Sequence, residues 1–194
     1  MIPELDRRPI LIALAGPNGA GKTTFFHAHL SYTNLPFVNA DIIAAETGLG
    51  AYEAAEIAET IRRERFNRRE SFIFETVFSD PVADKLHFLE QASEAGYTVV
   101  LFFIGISSSV RSIDRVGMRI LEGGHAVPTG KLTSRFPRTL ENLRLSLLAL
   151  PNVLVYDNDD LRHPYRLVLT TQHGKITQRA RSMPAWLRPI LPPA

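Results

Sequence analysis

Apolar residues are grouped in short runs separated by segments in which they recur at helical spacing. The runs Ile10–Ala15 and Tyr97–Ile104 predict buried parallel strands. By the same patterns, further strands are expected at Pro36–Asn39, Phe72–Phe74 and Asn152–Tyr156, and helices at Thr23–Leu30, Ala51–Glu70, Pro81–Ala95, Ser108–Leu121 and Thr133–Leu150, with a loop over Glu122–Gly130.

Strands that alternate with helices form a parallel sheet covered on both faces. We therefore predict an α/β three-layer sandwich with a mostly parallel, five-stranded sheet. After Asp160 the pattern changes to a β-hairpin, formed by Tyr165–Thr170 and Lys175–Arg179, and an irregular proline-rich tail that Trp186 anchors. Because no repeat or flexible linker interrupts the chain, we expect one domain, with its core at 9–156 and the hairpin and tail at 160–194.

Composition excludes several classes of protein. The 194 residues include no Cys, so disulfides, thiolate metal sites and cysteine nucleophiles are excluded. No apolar run approaches the roughly 20 residues of a membrane span, and the N-terminal run leads into a glycine loop without a cleavage site. We expect a cytoplasmic protein without a membrane partner. The net charge of +2 is too small to indicate nucleic-acid binding.

A glycine-rich loop carries the strongest functional signal. The segment Gly16-Pro17-Asn18-Gly19-Ala20-Gly21-Lys22-Thr23 matches G-x-x-x-x-G-K-[ST], between a predicted strand and a predicted helix that continues through Thr24. Backbone N–H groups of such a P-loop surround phosphates. Lys22 is expected to contact the terminal phosphates of ATP, and the Thr23 hydroxyl to hold Mg²⁺. The sequence therefore predicts a P-loop fold of the nucleotide-kinase type that binds a nucleoside triphosphate.

The rest of the chain favours a small-molecule kinase over other P-loop proteins. The Asn-Lys-x-Asp motif of GTPases is absent, and the chain has no apolar strand that ends in Asp-Glu, as in ATP-driven motors. The third strand ends instead in a single acid, Glu75. Short P-loop chains are commonly kinases with a helical lid that closes over the phosphates.

Two acids follow predicted strands. Asp41 lies after the second strand, and ligands of open α/β sheets bind beyond the carboxyl ends of the strands. Asp41 could therefore take the proton of an attacking hydroxyl. The alternative is an N-cap for a helix at Ile42–Glu46. Glu75 could organise Mg²⁺ or bind substrate hydroxyls; the alternative is a buried acid satisfied by neighbouring N–H groups.

Arginines surround the predicted lid. Arg111, Arg115 and Arg119 are spaced four residues apart, which places them on one helix face. Three like charges in a row require counter-anions, and Asp114 and Glu122 supply only part of them. We expect ATP to supply more, with Arg115 and Arg119 on the phosphates and Arg135 and Arg138 beyond the loop. The alternative is a solvated helix face.

Taken together, these motifs resemble the zeta toxins, the P-loop kinases of epsilon/zeta toxin–antitoxin systems, and especially their compact chromosomal relatives. The resemblance spans roughly residues 9–156 and consists of GPNGAGKTT at 16–24, VNAD at 38–41, FET at 74–76, GGHAVP and RF within 123–136, and TLENL at 139–143. The combination of NAD with GGHxVP is more specific than the P-loop alone.

The resemblance implies that ATP phosphorylates a sugar hydroxyl of a UDP-activated amino sugar such as UDP-N-acetylglucosamine. It implies Lys22 as the Walker lysine, Asp41 as the catalytic base, and Arg119 and Arg135 as phosphate-clamping arginines. It also implies substrate-side roles for Glu75, Thr76, His125 and Arg138, and an antitoxin protein as a partner. The lid is shorter than in the large plasmid toxins, and their UDP-recognising segment is not evident here.

Two other functions remain open at this stage. One is an antibiotic phosphotransferase of the chloramphenicol type, which uses a similar P-loop and an acid after the second strand. The other is a non-catalytic ATP-binding module that switches partner binding through lid closure. A binding module needs Lys22 and Thr23, but it does not need a base at Asp41.

Overall fold

A computed structural model describes residues 7–121 and 127–192. The strands are β1 (Ile10–Ala15), β2 (Phe37–Val38), β3 (Phe72–Thr76), β4 (Thr98–Gly105), β5 (Asn152–Asp157), β6 (Arg166–Gln172) and β7 (Lys175–Arg179). The helices are α1 (Lys22–His29), α2 (Ala40–Thr47), α3 (Ala51–Asn67), α4 (Asp84–Glu94), α5 (Ser109–Leu121) and α6 (Thr129–Ala149).

The seven strands form one sheet in the order β2-β3-β1-β4-β5-β6-β7. The five strands β1 to β5 are parallel, which confirms the predicted α/β class with its mostly parallel sheet. The predicted hairpin is also present, as β6 and β7. It extends the central sheet, because β6 pairs antiparallel with β5.

Side chains of β1 divide between two cores, one on each face of the sheet. Ile10, Ile12 and Leu14 pack with Phe25 and Phe26 of α1. The alternate residues pack on the opposite face with buried side chains of α3, α4, α6 and the tail. Because successive side chains of a strand point to opposite faces, a strand that is buried on both sides is apolar throughout. The unbroken run Ile10–Ala15 follows from this position at the centre of the sheet.

Several predicted boundaries differ from the structure. A helix at Ile42–Glu46 is only an alternative on the sequence pattern, whereas the structure contains helix α2 there. Helix α4 begins at Asp84 instead of Pro81, because Ala83 has a positive φ of 56°. The predicted end of the loop Glu122–Gly130 was wrong, because Thr129 and Gly130 are the first two residues of α6. The tail is not wholly irregular, because Arg188–Ile190 forms a 3₁₀ turn. No helix in the described ranges is long and apolar enough to cross a membrane.

Candidate active site

The P-loop joins β1 to α1 in a conformation that requires glycine. At Gly16, with φ of 143°, a Cβ atom would lie 2.1 Å from the carbonyl oxygen of Ile104. At Gly21, with φ of 89°, it would lie 2.8 Å from both the Asn158 amide nitrogen and the Tyr165 hydroxyl. Any side chain at these positions would push the loop away from its neighbours. The motif glycines therefore fix the shape of the loop and allow its close packing.

Side chains from distant segments hold the carbonyl groups of this loop. Ser112 Oγ donates to Asn18 O at 2.6 Å, Asn158 Nδ2 to Ala20 O at 2.8 Å, and Tyr165 OH to Gly21 O at 3.0 Å. Burial raises the pKa of the Tyr165 hydroxyl above its ordinary value. The N–H of Ala20 donates to Pro17 O at 3.2 Å within the loop. Other N–H groups of the loop can bind phosphate oxygens.

Lys22, Thr23 and Glu75 meet at the start of α1. Lys22 Nζ lies 3.6 Å from Glu75 Oε1 and donates to Pro17 O at 3.1 Å. Thr23 Oγ1 donates to Glu75 Oε2 at 2.8 Å. Glu75 is therefore a largely buried acid that accepts from side chains of the P-loop, rather than from backbone N–H groups alone.

Asp41 is not the N-cap of α2, which was the alternative to a catalytic role. The cap is Asn39, whose Oδ1 accepts from the backbone N–H groups of Asp41 and Ile42 at 2.8 and 3.4 Å. Asp41 lies in the first turn of the helix and its side chain is 63% exposed. Its carboxylate is thus free of the capping bond and faces the solvent at the carboxyl end of the sheet.

The three arginines of α5 have different partners. Arg111 pairs with Asp159 at 3.4 Å, and Arg119 lies 4.0 Å from Asp41. Arg115 donates to the carbonyl groups of Asn158 and Asp159, and burial lowers its pKa. The carboxylates that face Arg111 and Arg119 are therefore Asp159 and Asp41. Of the two acids expected there, Asp114 forms no ion pair among the described residues, and Glu122 lies outside them. Helix α5 thus contacts the loop after β5 through Arg111 and Arg115, and it reaches the predicted base Asp41 through Arg119.

The remaining predicted residues are less directly connected. Arg135 and Arg138 lie on α6, and within the described ranges neither forms an ion pair with Asp41 or Glu75. Thr76 Oγ1 accepts from the N–H of Phe78 at 3.0 Å, so it stabilises the turn after β3. His125 lies outside the described residues.

Beside the P-loop lies an open cavity of about 490 Å³. Its walls come from α5 and from the loop after β5, and include Arg115, Met118, Asp159 and Leu161. The Asp159 carboxyl is partly desolvated, which raises its pKa, but hydrogen bonds from Ser107 and the nearby arginines outweigh this and lower the pKa overall. Six of the eight lining residues are charged, and Met118 and Leu161 supply the apolar part of the wall.

Sequence patterns missed four residues of this site: Asn39, Ser112, Asn158 and Tyr165. Asn39 immediately precedes a helix that contains a candidate base, and its Asn-x-Asp spacing is typical of an N-cap. That signal could have identified it. Ser112, Asn158 and Tyr165 contact the P-loop across 94, 138 and 144 positions of chain, and no local pattern predicts such contacts.

A family model described as Zeta toxin matches residues 47–168, more than half of the chain. The chain belongs to the zeta toxin family. The matched range contains Glu75 and the arginines of α5 and α6, whereas the P-loop and Asp41 precede it. Membership confirms the resemblance inferred from the motifs.

Solved structures share the fold of this zeta toxin family member. The AvrRxo1-ORF1:AvrRxo1-ORF2 complex with sulphate ions has a chain with a TM-score of 0.68 and 19% identity; the match covers 90% of our chain and 62% of that one. A putative kinase from Chloroflexus aurantiacus has a TM-score of 0.58 and 21% identity, covering 81% and 92% of the two chains.

The PezAT chromosomal toxin–antitoxin system of Streptococcus pneumoniae has a TM-score of 0.58 and 18% identity, covering 84% of our chain and 72% of that one. The zeta toxin family member described here thus spans 62% of the AvrRxo1 chain and most of the other two. The comparison with curated proteins gave no match. At these identities, the structural likeness concerns the fold.

Proposed function

We propose that this chain is an ATP-dependent kinase that phosphorylates an alcohol hydroxyl of a small-molecule acceptor. The observation that carries the proposal is the pair formed by Asp41 and Arg119 beside a P-loop whose Lys22 and Thr23 meet at Glu75. A nucleotide-binding module needs the loop. It does not need an exposed carboxylate paired with an arginine.

ATP would bind with its phosphates against the N–H groups of the P-loop and its base in the 490 Å³ cavity. Lys22 would exchange its contact with Pro17 O for a phosphate oxygen, since both are acceptors within reach of a flexible ammonium group. Arg115, which already fixes the loop after β5, would form the wall between the phosphates and the base.

Thr23 and Glu75 fit a magnesium ion bound jointly with phosphates. Their side-chain oxygens are 2.8 Å apart, and Mg²⁺ commonly takes one or two protein oxygens together with phosphates and water. Within the described ranges no group of three His, Asp or Glu residues could hold a metal by itself. When bound, the ion would neutralise charge on the phosphate oxygens.

The transfer step uses Asp41 as a general base. The acceptor hydroxyl gives its proton to the Asp41 carboxylate while its oxygen bonds to the γ-phosphorus. The bond from that phosphorus to the β,γ-bridging oxygen breaks, and ADP leaves. Arg119, 4.0 Å from Asp41, can contact the transferring group and offset the charge on its oxygens.

The finer proposal concerns the acceptor and the partner. The motif resemblance and the family membership support a UDP-activated amino sugar as the acceptor, and a role as the toxin of a toxin–antitoxin pair. Arg138 on α6 suits an acceptor with a diphosphate, because one guanidinium group can bind two phosphate oxygens. Arg135 keeps the role of second phosphate-clamping arginine that the resemblance implies. An antitoxin protein is the corresponding partner.

The test compares acceptors by kcat/KM with ATP and Mg²⁺. UDP-N-acetylglucosamine and other UDP-sugars should react, with a mass gain of one phosphoryl group, while free N-acetylglucosamine and chloramphenicol should react poorly. Remote binding energy from the uridine diphosphate would orient the sugar beside Asp41. Lys22→Ala is the control, and it should abolish transfer to every acceptor.

Other outcomes assign other functions. A preference for the uncharged alcohol would assign an antibiotic phosphotransferase. ATP binding without transfer to any acceptor would assign a non-catalytic module. Unchanged turnover by Lys22→Ala would show that the ATP site lies elsewhere.

A further inference from the structure

Asn39 lies between the two acids of the site. It is 4% exposed, and its side-chain amide uses both of its ends. Oδ1 accepts from the N–H groups of Asp41 and Ile42, and Nδ2 donates to Glu75 Oε2 at 2.9 Å. One planar group thus joins the start of α2 to the end of β3.

We propose that Asn39 is a positioning residue that holds Asp41 and Glu75 in fixed positions relative to each other. The inference rests on the proposed kinase function, since it concerns how that site is held together. Asn39 is expected to touch neither ATP nor the acceptor. It acts through the backbone of one acid and the carboxylate of the other.

The contact with Glu75 determines how that carboxylate is oriented. Oε2 accepts from both Asn39 Nδ2 and Thr23 Oγ1, while Oε1 faces Lys22. Without the Asn39 donor, the carboxylate could rotate away from the P-loop threonine. The contact with Asp41 determines where α2 starts, because a capping acceptor fixes the first turn in which the proposed base lies.

An ordinary N-cap would not need an amide. Ser, Thr and Asp cap helices about as well as Asn, but none of them offers an acceptor and an amide donor on one planar group. Asp would place a second carboxylate beside Glu75 Oε2. The proposal therefore predicts a different result from simple capping. If Asn39 were only a cap, any residue that caps a helix well would preserve activity.

The experiment uses Asn39→Ser, which keeps an acceptor for the cap and loses the amide donor. We expect kcat to fall at least tenfold, while the KM for ATP changes less than threefold. Glu53→Ala is the matched control, since it removes the bond from Gly50 N to Glu53 Oε2 at the start of α3, away from both acids. The control should lose comparable thermal stability and keep its kcat. Wild-type kcat in Asn39→Ser would overturn the proposal.

Thermal unfolding separates failure of this inference from failure of the proposed function. If the wild type phosphorylates nothing, the kinase proposal fails, and the variants Asn39→Ser, Glu75→Ala and their combination still test the link. A combined loss of Tm smaller than the sum of the single losses supports a direct coupling. Strictly additive losses would overturn it.

Discussion

At the start of α2, neighbouring residues carry two separate roles. Asn39 provides the cap, and Asp41 presents an exposed carboxylate to the crevice. A carboxylate in the first helical turn gains only a small electrostatic benefit from the helix dipole, about 0.3–1 kcal/mol. The proposed base can therefore be altered with little effect on the stability of this segment.

Asp41→Asn should lower kcat by about 10²-fold or more, because the amide cannot accept the acceptor's proton. ATP affinity should stay close to that of the wild type, and the free energy of unfolding should fall by less than about 1 kcal/mol. Steady-state kinetics and calorimetric titration with ATP measure the two effects. An equal loss of ATP affinity would instead indicate that Asp41 acts with the metal or the phosphates.

Individual elements are joined by charge clusters that the linear pattern does not reveal. Glu59 on α3 contacts Arg62 and Arg63 of its own helix and, at 3.0 Å, Lys85 of α4. Partial burial alone would raise the pKa of the Glu59 carboxyl, but hydrogen bonds and charge from Arg62 and Lys85 outweigh it and lower the pKa to about 2. This cluster links the two helices on one face of the sheet.

Glu59→Gln should reduce the free energy of unfolding by roughly 1–2 kcal/mol at pH 7, a value discounted for partial solvent exposure. The folded-state pKa lies below the ordinary value of 4.5, so the stabilisation is complete above that value and is lost as the pH falls toward 2. Denaturant unfolding at pH 7, 4 and 3 should show the difference from wild type shrinking.

Glu64→Gln on the same helix is the control. Its side chain is 60% exposed and lies 4.0 Å from Arg68, so its removal should cost less than about 0.5 kcal/mol at every pH. A pH-independent difference for Glu59→Gln would show that charge is not the source of its effect.

Elements with a long, consistent pattern were the predictable part of the fold. The run Ile10–Ala15 shows its burial directly, and the P-loop motif identifies the strand before it and the helix after it. The short helix α2 has too few residues for a periodic signal. The start of α6 was obscured by Pro128 and Gly130, because both residues are typical of loops.

At the scale of the whole molecule, the tail packs against the middle of the sheet. Trp186 Nε1 donates to Asp157 Oδ1 at 2.9 Å, and the indole lies over Gly105. A Cβ at Gly105 would lie 2.2 Å from two ring carbons. The sequence predicted that Trp186 anchors the tail, and its 8% exposure agrees with this. The surface that receives it depends on a glycine at the end of β4, which no local pattern identifies.

Gly105→Ala should displace the indole, lowering the free energy of unfolding by about 1–3 kcal/mol and shifting Trp emission to longer wavelength. Since Trp186 is the single Trp of the chain, the Trp fluorescence reports the surroundings of this side chain. Gly117→Ala, in α5 with nothing within 4 Å of the added methyl group, should leave the emission unchanged and stabilise the helix slightly. Equal behaviour of the two variants would contradict the packing described here.

The bonds from Asn158 and Tyr165 to the P-loop have a consequence for biosynthesis. The lysine, both acids and all the arginines proposed for catalysis precede residue 140, so the ribosome delivers them first. The two side chains that secure the Ala20 and Gly21 carbonyls arrive only with the end of β5 and the start of β6. A nascent chain therefore carries every reactive group before its phosphate site is complete. The proposed phosphate site would therefore form only after Tyr165 has been synthesised.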